Sequence, residues 1–463
     1  MMALAAGELQ ARAGLLLVIA MVITLPIALK AMRRTLDPLE PLVMTSIAFF
    51  VLFVIRPLYD ISHGGPTYLN YDIERTYDLA LEAVLVAVIA FEIGYAGGRL
   101  PVSLAASLRR RLGVGRPLPD FAILVSALIL TAVGAGATVL NAVLAGGVDV
   151  LFQNRDAVVT GSTNVPVIAV AESLAVPCLL LLWCVPGSTK NLSRILAVLP
   201  VVVLGIAAVP KGDRRLLLPL FAAIGSSYYL RRGRRPRWVA MAVVTFAILF
   251  LVVTPLRSSR NGSTSFVDAA WSAIQDPAAA LEALFIEQDT SQVNVLAVLV
   301  AQVGDHAPIP WQGGMATLTE TLLQPIPRQV WPGKPEPIRT QFIVYNFGML
   351  DGRCISQCPT LSIVGTFYAD FGLAGVAFGC LLLGLLSKAW YLIMMSMRAD
   401  PIVIAAYSGM LFTFFLIWWS SLSTLVSDFG VYALPVLAVG ALARARRPGR
   451  MLAGRSSTGS TVA

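Results

Sequence analysis

The stretch Phe121-Ala-Ile-Leu-Val-Ser-Ala-Leu-Ile-Leu-Thr-Ala-Val-Gly-Ala-Gly-Ala-Thr-Val-Leu140 contains no charged side chain. A helix of about 20 apolar residues crosses the hydrocarbon core of a bilayer, so this stretch predicts a transmembrane helix. The whole chain is similarly apolar. Of its 463 residues, 57% are hydrophobic and only 13% are charged, and the mean hydropathy is +0.76. Soluble globular proteins are usually less apolar, so the sequence predicts an integral membrane protein.

Further apolar runs precede and follow this stretch, and together they predict an all-α polytopic membrane protein of about 11 transmembrane helices. No convincing small-residue cleavage site follows the first run, which we interpret as a retained helix. We divide the chain into helices 1–8 (1–256), an extracytoplasmic loop with short helices (257–361), helices 9–11 (362–445) and a disordered cytoplasmic tail (446–463). The predicted spans are 13–29, 39–55, 78–96, 119–144, 164–185, 195–210, 216–230, 238–256, 365–395, 401–419 and 429–443.

Most of the 35 lysines and arginines fall in alternate loops, among them 109–116, 231–237 and 444–455. Positive loops stay in the cytoplasm, which predicts an N-terminus outside and a C-terminus inside. The net charge of +9 then reflects membrane orientation, and we expect no nucleic-acid partner.

A group of cations remains on the predicted outer side, in the hairpin that contains Lys211, Asp213, Arg214 and Arg215. Its flanking spans are short, which draws the hairpin tip towards the depth of lipid phosphates. Guanidinium groups pair bidentately with phosphate oxygens, so the group predicts a diphosphate site. An internal ion pair that closes the hairpin explains the same residues equally well.

Next come Arg257 and Arg260, which share one helix face at i, i+3 spacing and are further candidates for phosphate binding. The polar run that follows contains Glu287 and Asp289, either of which can accept a proton from a sugar hydroxyl. For Asp289 an ordinary helix start is the safer interpretation. His306 is a candidate acid or base, although a lone histidine is more often a surface residue.

The segment Pro325-Ile-Pro-Arg-Gln-Val-Trp-Pro-Gly-Lys-Pro-Glu-Pro337 contains prolines that forbid a continuous helix. It predicts a stiff outer loop that displays Arg328, Trp331 and Lys334. Cations and an indole beside a membrane suit a lipid-linked sugar phosphate.

Other features support rival interpretations. Asp72 and Glu74 form an acidic pair of the kind that holds a divalent metal, although such pairs are common in solvated loops. Glu172 lies inside a predicted span, which favours a transporter. Cys354 and Cys358 are the cysteines on the outer side, where a small disulfide loop is slightly favoured over free thiols. Two histidines on separate loops give no zinc-site spacing, and we expect neither metal nor cofactor.

A third motif, Gly365-Thr-Phe-Tyr-Ala-Asp-Phe-Gly-Leu-Ala-Gly375, enters the ninth predicted span. Its glycines favour close helix packing. With Lys211-Gly-Asp-Arg-Arg215 and Pro327-Arg-Gln-Val-Trp-Pro-Gly-Lys-Pro335 before it, the chain resembles the bacterial oligosaccharide repeat-unit polymerases, the Wzy-type O-antigen polymerase family. The motifs cover roughly residues 200 to 380.

This resemblance implies a C-type (GT-C-like) glycosyltransferase fold in the bacterial cytoplasmic membrane. It implies a metal-independent enzyme that polymerises undecaprenyl-diphosphate-linked repeat units on the outer face. Arg214, Arg215 and Arg257 match its arginines, and no catalytic base carries over. The partners would be a polyprenyl-diphosphate-linked donor and acceptor, the lipid bilayer, and a chain-length regulator or flippase. A ligase of the O-antigen type, or a transporter or flippase of lipid-linked saccharides, stays open.

Overall fold

All regular structure in the described part of the chain is helical. The computed structural model describes the chain except for residues 1, 64, 69–70, 100–101, 117, 145–170, 172, 185–189, 204–213, 238–265, 280–289, 325, 327–329, 348–359 and 446–463. The side chains of 2–9, 102, 190, 214–217, 266–267, 269–270 and 347 are likewise not described.

The helices follow one another along the chain, and the connection between α10 and α11 (303–314) is fully described. They are α1 (Met2–Met32), α2 (Pro41–Ser62), α3 (Glu74–Gly97), α4 (Val102–Arg111), α5 (Asp120–Leu144), α6 (Ala175–Cys184), α7 (Asn191–Val203), α8 (Arg214–Arg231), α9 (Phe266–Gln275), α10 (Gln292–Gln302), α11 (Met315–Thr321), α12 (Ile338–Phe347), α13 (Ile363–Ser396), α14 (Pro401–Trp419) and α15 (Leu422–Ala445).

Seven of these helices are long and apolar enough to cross a membrane: α1, α2, α3, α5, α13, α14 and α15. Each lies on one of the eleven predicted spans, so the polytopic membrane architecture is confirmed. The predicted spans 164–185 and 195–210 correspond to the shorter helices α6 and α7 where they are described. The span 216–230 corresponds to α8, which begins at Arg214, and 238–256 lies outside the described residues. The count of eleven stays a prediction.

The centre of the bundle is the contact between α3 and α13, where the two backbones meet without intervening side chains. A Cβ atom on Gly94 would lie 2.1 Å from the carbonyl oxygen of Leu381, and one on Gly384 would lie 2.3 Å from that of Phe91. Small residues allow this approach. The α2–α14 pair packs beside it through the rings of Phe49 and Trp418, whose centroids are 4.3 Å apart.

The helix α13 is interrupted near its start, a feature that the prediction of a continuous span at 365–395 missed. Phe371 and Gly372 leave the helical region, and Gly372 has φ 62°, a conformation that favours glycine. A Cβ atom on Gly379 would lie 2.5 Å from the ring of Phe367. In one straight helix residues 367 and 379 would be about 18 Å apart, so 363–370 must fold back onto the following turns.

Polar contacts gather at two opposite ends of the bundle. At the first, which we call the Glu40 end, Oε1 of Glu40 accepts from Nζ of Lys30 at 2.5 Å, from Tyr95 Oη at 2.7 Å and from Nζ of Lys388 at 3.2 Å. The opposite end, which we call the Glu320 end, holds the folded-back start of α13 together with α10 and α11. It contains the candidate site.

Candidate functional site

The side chain of Glu320 lies where three helices meet. It belongs to α11, and Oε2 accepts a hydrogen bond of 3.1 Å from the hydroxyl of Thr366 in the folded-back part of α13. The backbone N–H of Leu422, at the start of α15, also donates to the carboxyl. Only 2% of Glu320 is exposed. The carboxyl thus joins α11 to the membrane helices α13 and α15.

The surroundings of Glu320 alter its acidity. Burial removes the carboxylate from water and raises the pKa of Glu320 from 4.5 to about 7. The bonds from Thr366 and Leu422 and the nearby guanidinium of Arg339 lower this pKa, and the negative charge of Asp370 raises it. At neutral pH both forms of Glu320 are therefore populated, which is the condition that a general acid or base needs.

Asp370 holds the first turn of α11 against the break in α13. Its Oδ1 accepts from the backbone N–H groups of Gly314 and Ala316, both at 2.9 Å, and its Oδ2 accepts from that of Thr317 at 3.0 Å. A carboxylate on the free N–H groups of a helix start is favoured by hydrogen bonding and by the helix dipole.

A buried ion pair lies at the same end of the bundle. Nε of Arg56 donates to Oδ1 of Asp60 at 2.9 Å, and Nδ2 of Asn294 donates to Oδ2 of Asp60 at 3.1 Å. Arg56 also donates to the hydroxyl of Thr290 at 3.2 Å. The first helical turns of α10 are thereby attached to the end of α2.

The ion pair and Glu320 are linked partly by hydrogen bonds and partly by the backbone of α10 and of the α14–α15 connection. Two residues before Asn294, the Gln292 amide donates to the Thr360 hydroxyl at 3.0 Å, and this hydroxyl donates to the Trp419 carbonyl at 2.8 Å. Trp419 ends α14 just before Leu422, the donor to Glu320. We call these linked residues the Glu320 network; its members are Arg56, Asp60, Gln292, Asn294, Glu320, Arg339, Thr360, Thr366 and Asp370.

Three of the predicted site residues have described side chains. Lys334 is buried, and its Nζ donates to the carbonyl oxygens of Ile326 at 3.1 Å and Gln324 at 3.4 Å. Those contacts hold the proline-rich loop together, which differs from the expected display of a free cation. Trp331 is 42% exposed. His306 is exposed in the turn after α10. Their roles in binding or catalysis stay predictions.

The side chains of the other predicted site residues lie outside the described part of the structure. The backbone of Arg214 and Arg215 forms the first turn of α8. The remaining ones lie outside the described residues, as do Glu172, Cys354 and Cys358: Lys211, Asp213, Arg257, Arg260, Glu287, Asp289 and Arg328.

The rival acidic pair has structural contacts of its own. Oδ1 of Asp72 accepts from the backbone N–H of Glu74 at 3.2 Å, at the start of α3. Glu74 forms an ion pair with Arg12, which also pairs with Asp78. Among the described residues, no group of three or more His, Cys, Asp and Glu side chains could hold a metal ion.

Sequence reasoning missed Glu320. It lies in Met315-Ala-Thr-Leu-Thr-Glu-Thr-Leu-Leu323, where one carboxylate in a short, mostly neutral segment is an unremarkable pattern. Its apolar neighbours were the one available indication that this carboxyl is buried. Asp370 stood inside a motif that sequence reasoning did single out, but without a role.

Comparison with known proteins adds no relative: no family model, curated protein or solved structure matches the chain.

Proposed function

We propose that the protein is a membrane glycosyltransferase that polymerises undecaprenyl-diphosphate-linked oligosaccharide repeat units on the outer face of the bacterial cytoplasmic membrane. One observation carries the proposal: a carboxyl with a pKa of about 7, Glu320, is held at one end of a membrane bundle by the interrupted helix α13. The resemblance of the glycine-rich motif in α13 to repeat-unit polymerases supports the same reaction.

In this proposal the Glu320 end faces outward and Glu320 is the general base. Glu320 takes the proton of the attacking sugar hydroxyl as the new glycosidic bond forms at the anomeric carbon of the donor. The bond from that carbon to the diphosphate breaks, and the undecaprenyl diphosphate leaves with the electron pair. Because Glu320 is buried, the acceptor hydroxyl reaches it only when the side chains that cover its carboxyl move on substrate binding, while α11 stays in place.

Cations would stabilise the charge that grows on the departing diphosphate. Arg339 lies near enough to Glu320 to lower its pKa and is the described candidate. Arg214, Arg215 and Arg257 are the candidates from sequence. Preorganised donors of this kind typically contribute about 3–4 kcal/mol each to transition-state stabilisation.

Transfer by purified protein in nanodiscs tests the proposal, with a polyprenyl-diphosphate-linked repeat unit as substrate and product length read on a gel. Glu320→Gln keeps the shape and can still accept a hydrogen bond from Leu422, so we expect a folded protein that forms no polymer. Asp305→Asn, which changes an exposed carboxylate of the same segment, should polymerise normally. Wild-type turnover in Glu320→Gln would exclude Glu320 as the base.

A transporter or flippase of lipid-linked saccharides is the second candidate, because interrupted helices often line transport sites. At the break in α13, however, the carbonyl oxygens of Ala369 and Asp370 already accept from the backbone N–H groups of Gln312 and Gly313. The backbone carbonyl oxygens at the break are therefore bonded within the protein and are not free to bind a transported substrate. This favours the enzyme. Movement of labelled lipid-linked saccharide across proteoliposomes, without polymer, would reverse this preference.

A further inference from the structure

The helix that carries Glu320 is too short to define its own orientation. The helix α11 has seven residues, and isolated helices shorter than about 12–15 residues are marginal in water. Its position must therefore come from contacts with the rest of the protein. The contacts at the start of α11 converge on Asp370.

Five backbone N–H groups between Gln312 and Thr317 donate to two consecutive residues of α13. Three go to the Asp370 carboxylate at 2.9–3.0 Å. The other two, from Gln312 and Gly313, go to the carbonyl oxygens of Ala369 and Asp370 at 2.9 and 3.1 Å. Asp370 is 3% exposed, so its bonds form away from water, where bonds to a charged acceptor are strong.

Glu320 lies one helical turn beyond these donors. Ala316 and Thr317 precede it by four and three residues, so they share its side of the helix. A displacement of the first turn of α11 is therefore a displacement of the Glu320 carboxyl relative to Thr366 and Leu422.

We infer that Asp370 is the positioning residue of this site: its three hydrogen bonds fix where α11 presents the Glu320 carboxyl. The role of Asp370 in catalysis rests on the proposed function, whereas its role in holding α11 rests on the hydrogen bonds alone. The charge of Asp370 also acts on the Glu320 carboxyl. Among the described residues, the charged groups that act on Glu320 are Arg339 of α12 and Asp370 of α13, and the negative charge of Asp370 favours the protonated form of Glu320.

Two variants separate the position of α11 from the charge of Asp370. Asp370→Asn removes the charge and turns an amide N–H₂ towards one of the backbone donors. Asp370→Glu keeps the charge and moves the carboxylate by one methylene. Each is made with and without Glu320→Gln, and the melting temperature of the purified full-length protein is followed from pH 4 to pH 9. The difference in melting temperature between each protein with Glu320 and the same protein with Glu320→Gln reports the ionisation of Glu320, and its pH midpoint gives the pKa.

In Asp370→Asn the midpoint of this difference moves to lower pH, whereas in Asp370→Glu it stays close to that of the wild type. Turnover falls about a hundredfold in both, the loss expected from a misplacement of about 1 Å, while KM for the lipid-linked substrate is kept. Wild-type turnover together with a wild-type midpoint in Asp370→Asn would overturn the assignment. If that variant does not fold, wild-type turnover in folded Asp370→Glu would do so.

If the wild-type protein transfers no sugar, the proposed function fails and the melting curves alone decide. An unchanged midpoint in Asp370→Asn would then refute the link between Asp370 and Glu320. A shifted midpoint would confirm this link for whatever reaction the protein performs.

Discussion

The buried carboxyl of Glu320 makes the stability of the protein depend on pH in a defined direction. The pKa of Glu320 is raised from 4.5 to about 7, so the folded protein holds this proton more tightly than the unfolded chain does. Stabilisation from the proton is fully present below pH 4.5 and is lost as the pH rises to about 7. Each pH unit in that window removes about 1.4 kcal/mol, so the loss approaches 3 kcal/mol.

The variant Glu320→Gln should remove this dependence, because its amide does not ionise. Relative to the wild type, we expect the variant to gain about 3 kcal/mol between pH 4.5 and pH 8. For a chain of this size such a gain is a rise in melting temperature of about 3 to 6 °C. Tryptophan fluorescence reports it, since Trp418 is fully buried beside Phe49.

The exposed control Asp305→Asn should follow the wild-type curve throughout. Parallel curves for the wild type and Glu320→Gln from pH 4 to pH 9 would show that Glu320 titrates normally, and would remove the main electrostatic argument for it as a base. If Glu320→Gln instead lost stability relative to the wild type as the pH rises, the pKa of Glu320 would be lowered in the folded protein and not raised.

Four further predictions follow from the geometry and the sequence. Gly379→Leu should prevent 363–370 from packing on α13, because Phe367 already occupies that space; a melting temperature equal to that of Gly430→Leu, where a Cβ atom meets no neighbour, would contradict this. Asp60→Asn should lower the melting temperature, because it leaves Arg56 buried without its partner carboxylate, and Arg56→Met with Asp60→Leu should restore part of the loss. EDTA should leave sugar transfer unchanged; a loss reversed by manganese would point to Asp72 and Glu74. In intact cells, and in a chain whose five native cysteines are replaced by serine, an impermeant thiol reagent should label a cysteine at 305 but not one at 232; the opposite pattern would invert the predicted orientation.

The sequence predicted the spans well where their length and composition were sufficient. The helix α5 is an example, since an uncharged run of about 20 residues has few alternatives to a membrane helix. The break in α13 was not predictable by the same means, because Phe371 and Gly372 keep the apolar pattern intact. It depends on the space beside Gly375 and Gly379, which only the fold reveals.

The candidate site was predictable only in part, because the sequence shows the residue types but not their contacts. Cations and carboxylates in a predicted outer loop can be found from sequence, but whether each one faces substrate or the protein itself depends on its contacts. Lys334 shows the difference, since its ammonium group is engaged by backbone carbonyls of its own loop. Glu320 shows the converse, because its altered pKa comes from burial by helices far apart in the chain.

The contact of Glu40 with Lys30 and Lys388 sets an order for assembly in the membrane. Glu40 and Lys388 are separated by 348 residues, which a ribosome takes about 20 to 70 s to synthesise. Of the two lysines that contact Glu40, Lys30 is synthesised ten residues before it and is therefore the partner present when the first helical hairpin enters the membrane. Loss of Lys30 should therefore reduce the yield of inserted protein more than loss of Lys388, although both ammonium groups contact the same oxygen in the finished bundle.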